Sequence, residues 1–289
     1  NLTDLTYAIA LTENQIPEFI LDRFKDKQIT KIILTGMGTC YTAAVAISMH
    51  MRARLRLFMP YIIVEPHIAT EGSAFYLQPN MQDTLVIVIA QSGTTVDTNV
   101  YVQKAKERGA MSLAIANKRE GDVTFIVDGT LYIGDGRDIE IAVPSTKTYT
   151  AQVILGYILT LSLATRVIQS DSHKDILTKD LKNLREINSL ISSSFHELDH
   201  NIDVKNIAVA GCQYNSWFII RGTESNSVCA DEVRIKYSEN CYQSVASLSI
   251  EEACSISIKN SFLILIIEDD INLIYERLMQ LVDLGNSVV

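Results

Sequence analysis

None of the five cysteines (Cys40, Cys212, Cys229, Cys241, Cys254) stands in a CxxC pair. An odd number at scattered spacing gives no disulfide framework, and reduced thiols in a reducing compartment are the simplest reading. No His/Cys/Asp spacing matches a metal site, so neither a metal nor another cofactor is expected. Lysine and arginine never form a dense run: 25 basic residues are scattered against 34 acidic ones, for a net charge of −9. That disfavours nucleic acid as a partner and requires any anionic ligand to be held by local donors. The opening NLTDLTYAIALTENQ lacks both the basic start and the long apolar run of a signal peptide. Short-period repeats and low-complexity stretches are missing too. These absences together lead to the expectation of a cytoplasmic globular protein.

Hydrophobic residues make up 47% and charged residues 20% of the 289 positions, a balance that can bury a large core without disulfides. Two domains of ordinary size are the default at this length. One stretch is uncharged, TAQVILGYILTLSLAT at 150–165. It falls short of the ~20 residues a span needs and is interrupted by Thr, Ser, Gln and Tyr, so it reads as a buried helix and no membrane partner is expected. The chain starts at Asn1 and ends in LGNSVV, which reads as the opening of a strand. It is therefore expected to lack part of its natural C-terminus, and its first residues as well.

Strand and helix signals alternate along the first half. Residues 16–25 read as a helix, 31–34 as a strand, 41–57 as a helix and 61–64 as a second strand. The unbroken apolar run LVIVIA at 85–90 predicts a strand covered on both faces, as in parallel sheets. A helix over 96–108 stopped by Gly109, a strand over 111–116 and a strand over 130–133 follow. This alternation predicts an α/β doubly wound parallel sheet, with function in the loops after Leu34, Ala90 and Ile133. Residues 172–199 read as an exposed connecting helix. A second β-α series is then expected, with strands at 206–210 and 261–267 and a helix over 271–284.

Three loops could carry chemistry. Thr35-Gly36-Met37-Gly38-Thr39-Cys40 joins a strand to a helix, either as a tight turn or as a place where backbone N–H groups approach an anion. Gln91-Ser92-Gly93-Thr94-Thr95 follows the clearest strand and clusters three hydroxyls and an amide. Ser92 or Thr94 could cap the next helix, and the remaining hydroxyls could still bond phosphate oxygens. Pro144-Ser145-Thr146-Lys147 opens the uncharged helix, with Ser145 suited to its cap and Lys147 either an ordinary surface lysine or part of a site.

The runs GMGTCYTAA, AQSGTTVDT and VPSTKTYTAQ, in that order, resemble the sugar isomerase (SIS) domain. Within that superfamily they most resemble the isomerase half of glucosamine-6-phosphate synthase, the glutamine–fructose-6-phosphate aminotransferase. The similarity runs from about residue 31 to 165 and is only architectural afterwards. It implies two tandem flavodoxin-like SIS domains, each a parallel sheet sandwiched by helices, over residues 1–171 and 172–289. A homodimer, a sugar-phosphate ligand and a place in amino-sugar metabolism are implied as well. Thr39, Gln91, Ser92 and Thr95 match the family's phosphate-binding positions, and Gly38, Gly93, Thr94 and Ser145 lie in the same loops. Cys40 stands where the family usually has a sugar-contacting serine, and Ala90 where a first serine often stands.

The family's aldose–ketose chemistry needs a ring-opening group and a base that moves a proton between adjacent carbons. The resemblance implies a glutamate base in the second domain, a histidine in an E-x-x-H-G-P run and a lysine in a C-terminal tail. This sequence departs at all three. Its histidines are His50, His67, His173, His196 and His200, none beyond residue 200. The nearest run, Glu239-Asn240-Cys241-Tyr242-Gln243-Ser244, puts Tyr242 in the histidine's place. Glu224, Glu232 and Glu239 are the candidate bases, with Lys147 as a further candidate catalytic group. No stretch resembles an amidotransferase domain, so the chain alone is expected not to hydrolyse glutamine unless a separate glutaminase subunit or a missing N-terminal region supplies that step. Two functions remain open: an enzyme acting on fructose-6-phosphate, glucosamine-6-phosphate or a related sugar, and a non-catalytic sugar-phosphate-binding regulatory protein with a degenerate second domain.

Overall fold

The computed structural model describes residues 15–134, 140, 144–168, 170–199, 202–266 and 271–289. The chain divides into two compact units, Asn1–Asn188 and Ser189–Val289.

In the first unit α1 (Glu18–Lys25) leads into β1 (Lys31–Gly36), α2 (Thr39–Leu55) and β2 (Ile63–Ile68). A short α3 (Ala69–Glu71) runs on into a π turn, Gly72–Tyr76. Then come β3 (Thr84–Ala90), α4 (Val96–Glu107), β4 (Met111–Ala116), α5 (Asp122–Ile126), β5 (Gly129–Tyr132) and α6 (Lys147–Thr165). The five strands form one parallel sheet in the order β2-β1-β3-β4-β5.

Every residue of β3 and β4 is buried, and the two-residue period of a strand divides their side chains between two cores. Leu85, Ile87 and Ile89 of β3, with Leu113 and Ile115 of β4, join Ile47, Met51, Leu159 and Leu163 from α2 and α6. Val86, Val88 and Ala90 face the other way, onto Tyr101, Val102 and Ala105 of α4. A one-residue slip would exchange the two sets, so the register is firmly specified.

Helix α6 is the one helix among the described residues long and apolar enough to cross a membrane by length and composition. It packs instead on α2: Ile158 to Ala164 are buried without a break, and a Cβ at Gly156 would lie 2.4 Å from Ile47 Cγ1. The missing side chain is what lets the two helices approach this closely. Helix α7 (Asp171–Asp199) begins in the first unit. It is not simply an exposed connector, because Leu177 and Leu184 are buried in the core and Arg54 Nη2 donates to the buried Asp180 at 2.8 Å.

The second unit contains α8 (Ile202–Gly211), β6 (Trp217–Arg221), α9 (Glu224–Cys241), β7 (Val245–Ser249), α10 (Ile250–Ser255), β8 (Phe262–Ile266), α11 (Ile271–Asp283) and β9 (Ser287–Val288). Its sheet is also parallel, in the order β7-β6-β8-β9. Residues 206–210, expected to be a strand, are helical. The apolar run of four residues, Ile207 to Ala210, fits a helix turn as well as a strand, and the two alanines in it favour the helix. The strand lies further on at 217–221, where Trp217 anchors the core with its indole N–H 3.1 Å from the carbonyl oxygens of both Gly211 and Tyr214.

Candidate functional site

Strand order in the first sheet reverses between β1 and β3, so the crevice of a doubly wound sheet opens at their carboxyl ends. Two of the three loops expected to carry function lie there, residues 36–40 and 91–95; most of the loop after Ile133 lies outside the described residues. In the first, a Cβ on Gly36 would lie 2.8 Å from the Cys40 carbonyl carbon. The chain turns at Gly38 (φ +55°) into α2. The first N–H groups of that helix turn back on the loop, Cys40 N to Met37 O at 3.1 Å and Tyr41 N to Gly38 O at 2.9 Å. Thr39 and Cys40 are half-buried.

The second loop is braced from beneath. Gly93 (φ +71°) sits against Gly121, where a Cβ would come within 2.9 Å of Gly121 Cα. Its carbonyl oxygen accepts from Val123 N at 2.9 Å and from Asn99 Nδ2 at 3.3 Å. Above this base Ser92, Thr94 and Thr95 are exposed. Ser92 Oγ accepts from Thr94 Oγ1 at 3.0 Å and from Thr94 N at 3.3 Å. Neither Ser92 nor Thr94 caps α4: the N-cap residue is Thr95, and no side-chain hydrogen bond closes the helix. Three hydroxyls thus stand beside the positive end of a helix whose first N–H groups have no side-chain acceptor, which suits the oxygens of an anion.

The third loop is organised differently. Ser145 is buried and is not the cap of α6; that position falls to Thr146, whose side chain makes no cap bond. The acceptor is Glu140. Its carboxylate takes Thr146 N at 2.9 Å and Thr148 N at 2.8 Å. Burial alone would favour the neutral acid, but the main-chain N–H groups of Thr146, Thr148 and Lys147 and the Thr148 hydroxyl hold its pKa down at about 2. The carbonyl oxygen of the same residue accepts from Gln91 Nε2 at 3.0 Å. One turn into α6, the fully buried Gln152 donates to Ala90 O at 3.2 Å and to Cys40 Sγ at 3.7 Å. The three loops therefore meet, joined by two residues not singled out from the sequence. The available signals were a lone amide in an uncharged helix and an acid shortly before its start. Lys147 is exposed at the first position of α6.

The candidate bases lie in the second unit on α9. Glu224 opens the helix. Glu232 and Glu239 share one ammonium, Lys236 Nζ, at 3.3 Å and 2.8 Å. Tyr242 ends the helix with φ +53° and its side chain 93% exposed. His67 lies within β2, bonded through Nδ1 to Tyr101 Oη at 2.7 Å, and burial lowers its pKa despite the neighbouring Glu65. The position of His200 and the side chain of His173 lie outside the described residues. Among the described residues no group of three His, Cys, Asp or Glu could hold a metal ion.

A doubly wound α/β unit whose hydroxyl-rich loop lies at the switch point is the architecture of the first half. Residues 27–162 belong to the SIS domain family. The glutamine–fructose-6-phosphate aminotransferase (isomerizing) of Methanococcus maripaludis is 32% identical over 219 residues, covering 76% of this chain and 33% of the relative. The chain thus spans about a third of that protein's length. Among solved structures, the C-terminal domain of glucosamine-fructose-6-phosphate aminotransferase from Francisella tularensis superposes with a TM-score of 0.76 at 18% identity, covering 99% of this chain and 80% of that one. Glucosamine-6-phosphate deaminase from Thermotoga maritima gives 0.66 at 16% identity, covering 99% and 83%. Both show likeness of fold.

Proposed function

We propose that this chain is a phosphosugar isomerase-type protein of the aminotransferase branch, acting on a hexose 6-phosphate or amino-hexose 6-phosphate. The observation that carries this reading is the uncapped start of α4 beside Ser92, Thr94 and Thr95 at the switch point. A phosphate placed there accepts from those hydroxyls and from first-turn N–H groups, with Gln91 and Thr39 flanking it, while the sugar extends toward Cys40. A carboxylate of α9 then serves as the base that moves the proton between C1 and C2 of the open-chain sugar. Glu239, more exposed than Glu232, is the more accessible of the pair. The reading includes two tandem SIS domains, a cytoplasmic homodimer and, if nitrogen is transferred, a separate glutaminase.

A specific observation supports a second reading, a regulatory protein that binds the same ligand without turning it over. Both described candidate carboxylates are paired with Lys236, and no histidine lies beyond residue 200.

The first test is thermal unfolding with a panel of hexose 6-phosphates, amino-sugar phosphates and their unphosphorylated counterparts. A ligand at about 100 times its dissociation constant adds about 2.7 kcal/mol to stability. The expected outcome is a shift with phosphorylated sugars only. No shift with any of them overturns both readings; a shift without turnover of the same sugar favours the second.

A further inference from the structure

Three long helices of the first unit, α2, α4 and α6, start close to the crevice; at α2 the N–H groups of Cys40, Tyr41 and Thr42 are taken by the carbonyls of Met37 and Gly38, which leaves α4 and α6 as starts that could attract an anion. They are not equivalent. At α4 no side chain closes the first turn. At α6 the carboxylate of Glu140 already occupies the N–H groups of Thr146 and Thr148. A second anion there would meet a fixed negative charge as well as donors already in use.

Glu140 also acts at its other end. Its carbonyl oxygen holds the side-chain amide of Gln91 at 3.0 Å, and Gln152, from the same helix α6, holds the preceding Ala90 O at 3.2 Å. The loop that begins at Gln91 is thus fixed to α6 twice, once directly and once through Glu140. The contact spans 49 residues of sequence, so it is tertiary and not a local turn.

We propose that Glu140 is a positioning residue with two tasks: it closes the start of α6 to anions, and it holds the Gln91 amide facing the crevice, so that the ligand's phosphate has one seat, at the start of α4, and its sugar one direction. This rests on the sugar-phosphate reading for the identity of the ligand, but the closing of α6 does not. A crevice with two open anion seats would accept the same sugar phosphate in two orientations, only one of which brings its carbons to a given base. The internal carboxylate removes the second seat. Its low pKa keeps it charged throughout the neutral range, so the exclusion is constant there.

The test compares wild type, Glu140→Ala and Glu140→Gln by calorimetric titration with a hexose 6-phosphate and, separately, with inorganic phosphate. The alanine variant keeps the main-chain carbonyl that Gln91 bonds but loses the carboxylate that ties residue 140 to α6, so the carbonyl is no longer held in place and the variant is expected to bind the hexose phosphate about tenfold more weakly. It is also expected to gain a phosphate site that wild type lacks. The glutamine variant keeps the shape of the side chain and one acceptor oxygen for the start of α6 while losing the charge, so its loss should be smaller; it stands in if the alanine variant fails to fold. A residue with a merely structural role would lower the melting temperature of the variants without adding a site. Unchanged hexose-phosphate affinity together with an unchanged number of phosphate sites in whichever variant folds overturns the proposal. Failure of wild type to bind any hexose phosphate overturns the sugar-phosphate reading, and the phosphate count then still decides whether Glu140 closes α6.

Discussion

Each unit has its own parallel sheet that reverses strand order, and the strand ends at the two reversals carry different side chains. In the first, the strands on either side of it end in glycine-containing loops, and Ser92, Thr94 and Thr95 stand beside an uncapped helix. In the second, β6 ends in Arg221, whose guanidinium lies 3.8 Å from Asp231 and 3.5 Å from Glu252. Helix α10, which follows the neighbouring β7, is closed by a capping box between Ser249 and Glu252. The first crevice sets hydroxyls beside a helix start; in the second a guanidinium at a strand end stands between two carboxylates. The fold supplies a crevice, and the side chains at the strand ends decide whether it is a binding site.

That contrast can be broken in three ways. The largest effect concerns the division of labour. If the second unit supplies the base, Glu239→Gln is expected to lower turnover by about 10²–10⁴-fold while leaving sugar-phosphate affinity intact. Steady-state kinetics with the sugar found by thermal shift measures this, and unchanged turnover would remove Glu239 from the mechanism. Next is the seat itself. Ser92→Ala should cost roughly 1.5–3 kcal/mol of sugar-phosphate affinity, the range for a hydrogen bond to a charged group, with little change in melting temperature. Thr223→Ala, at the start of α9 in the other unit, should cost none. Equal losses from both would erase the distinction between the two crevices.

The third is a difference in acid response. His50 in the first unit stacks on Tyr157 with ring centroids 4.0 Å apart. Burial, reinforced by the Arg54 charge, lowers its pKa to about 4. The unfolded chain, with an ordinary histidine value near 6.5, therefore binds more protons than the folded one between about pH 4 and 6.5. Stability must rise with pH across that window, by on the order of 2 kcal/mol when allowance is made for partial solvent access. His50→Phe keeps the stacked ring and should flatten the slope for the first unit's transition alone. A slope that survives the substitution would assign the response to other groups.

Much of this was legible in the sequence, for physical reasons that also mark where reading stops. The runs at 85–90 and 111–116 are apolar on both faces, and only a strand inside a covered sheet needs that, so β3 and β4 were plain. The short apolar run at 207–210 has no period long enough to separate the helix found there from the strand its composition suggests. The loop at 91–95 announced itself through clustered hydroxyls and a glycine. Ser145 looked like a cap by position, yet Glu140 does the capping from outside the helix. Glu140 and Gln152 escaped notice because their partners are distant in sequence: Gln91 Nε2 lies 49 residues from Glu140, and Ala90 O lies 62 from Gln152. No local pattern encodes such pairs.

Gly156 has a consequence for the crevice that its position does not advertise. It sits nine residues inside α6, roughly 13 Å down the helix from the loop that Glu140 closes. There the Ile47 side chain fills the space a methyl group would need. The gap between the starts of α2 and α6, and with it the reach from Gln152 to Cys40, is gauged by this distant crossing. The mouth of the site is calibrated at its root, so a single added carbon at position 156 would re-space loops it never touches.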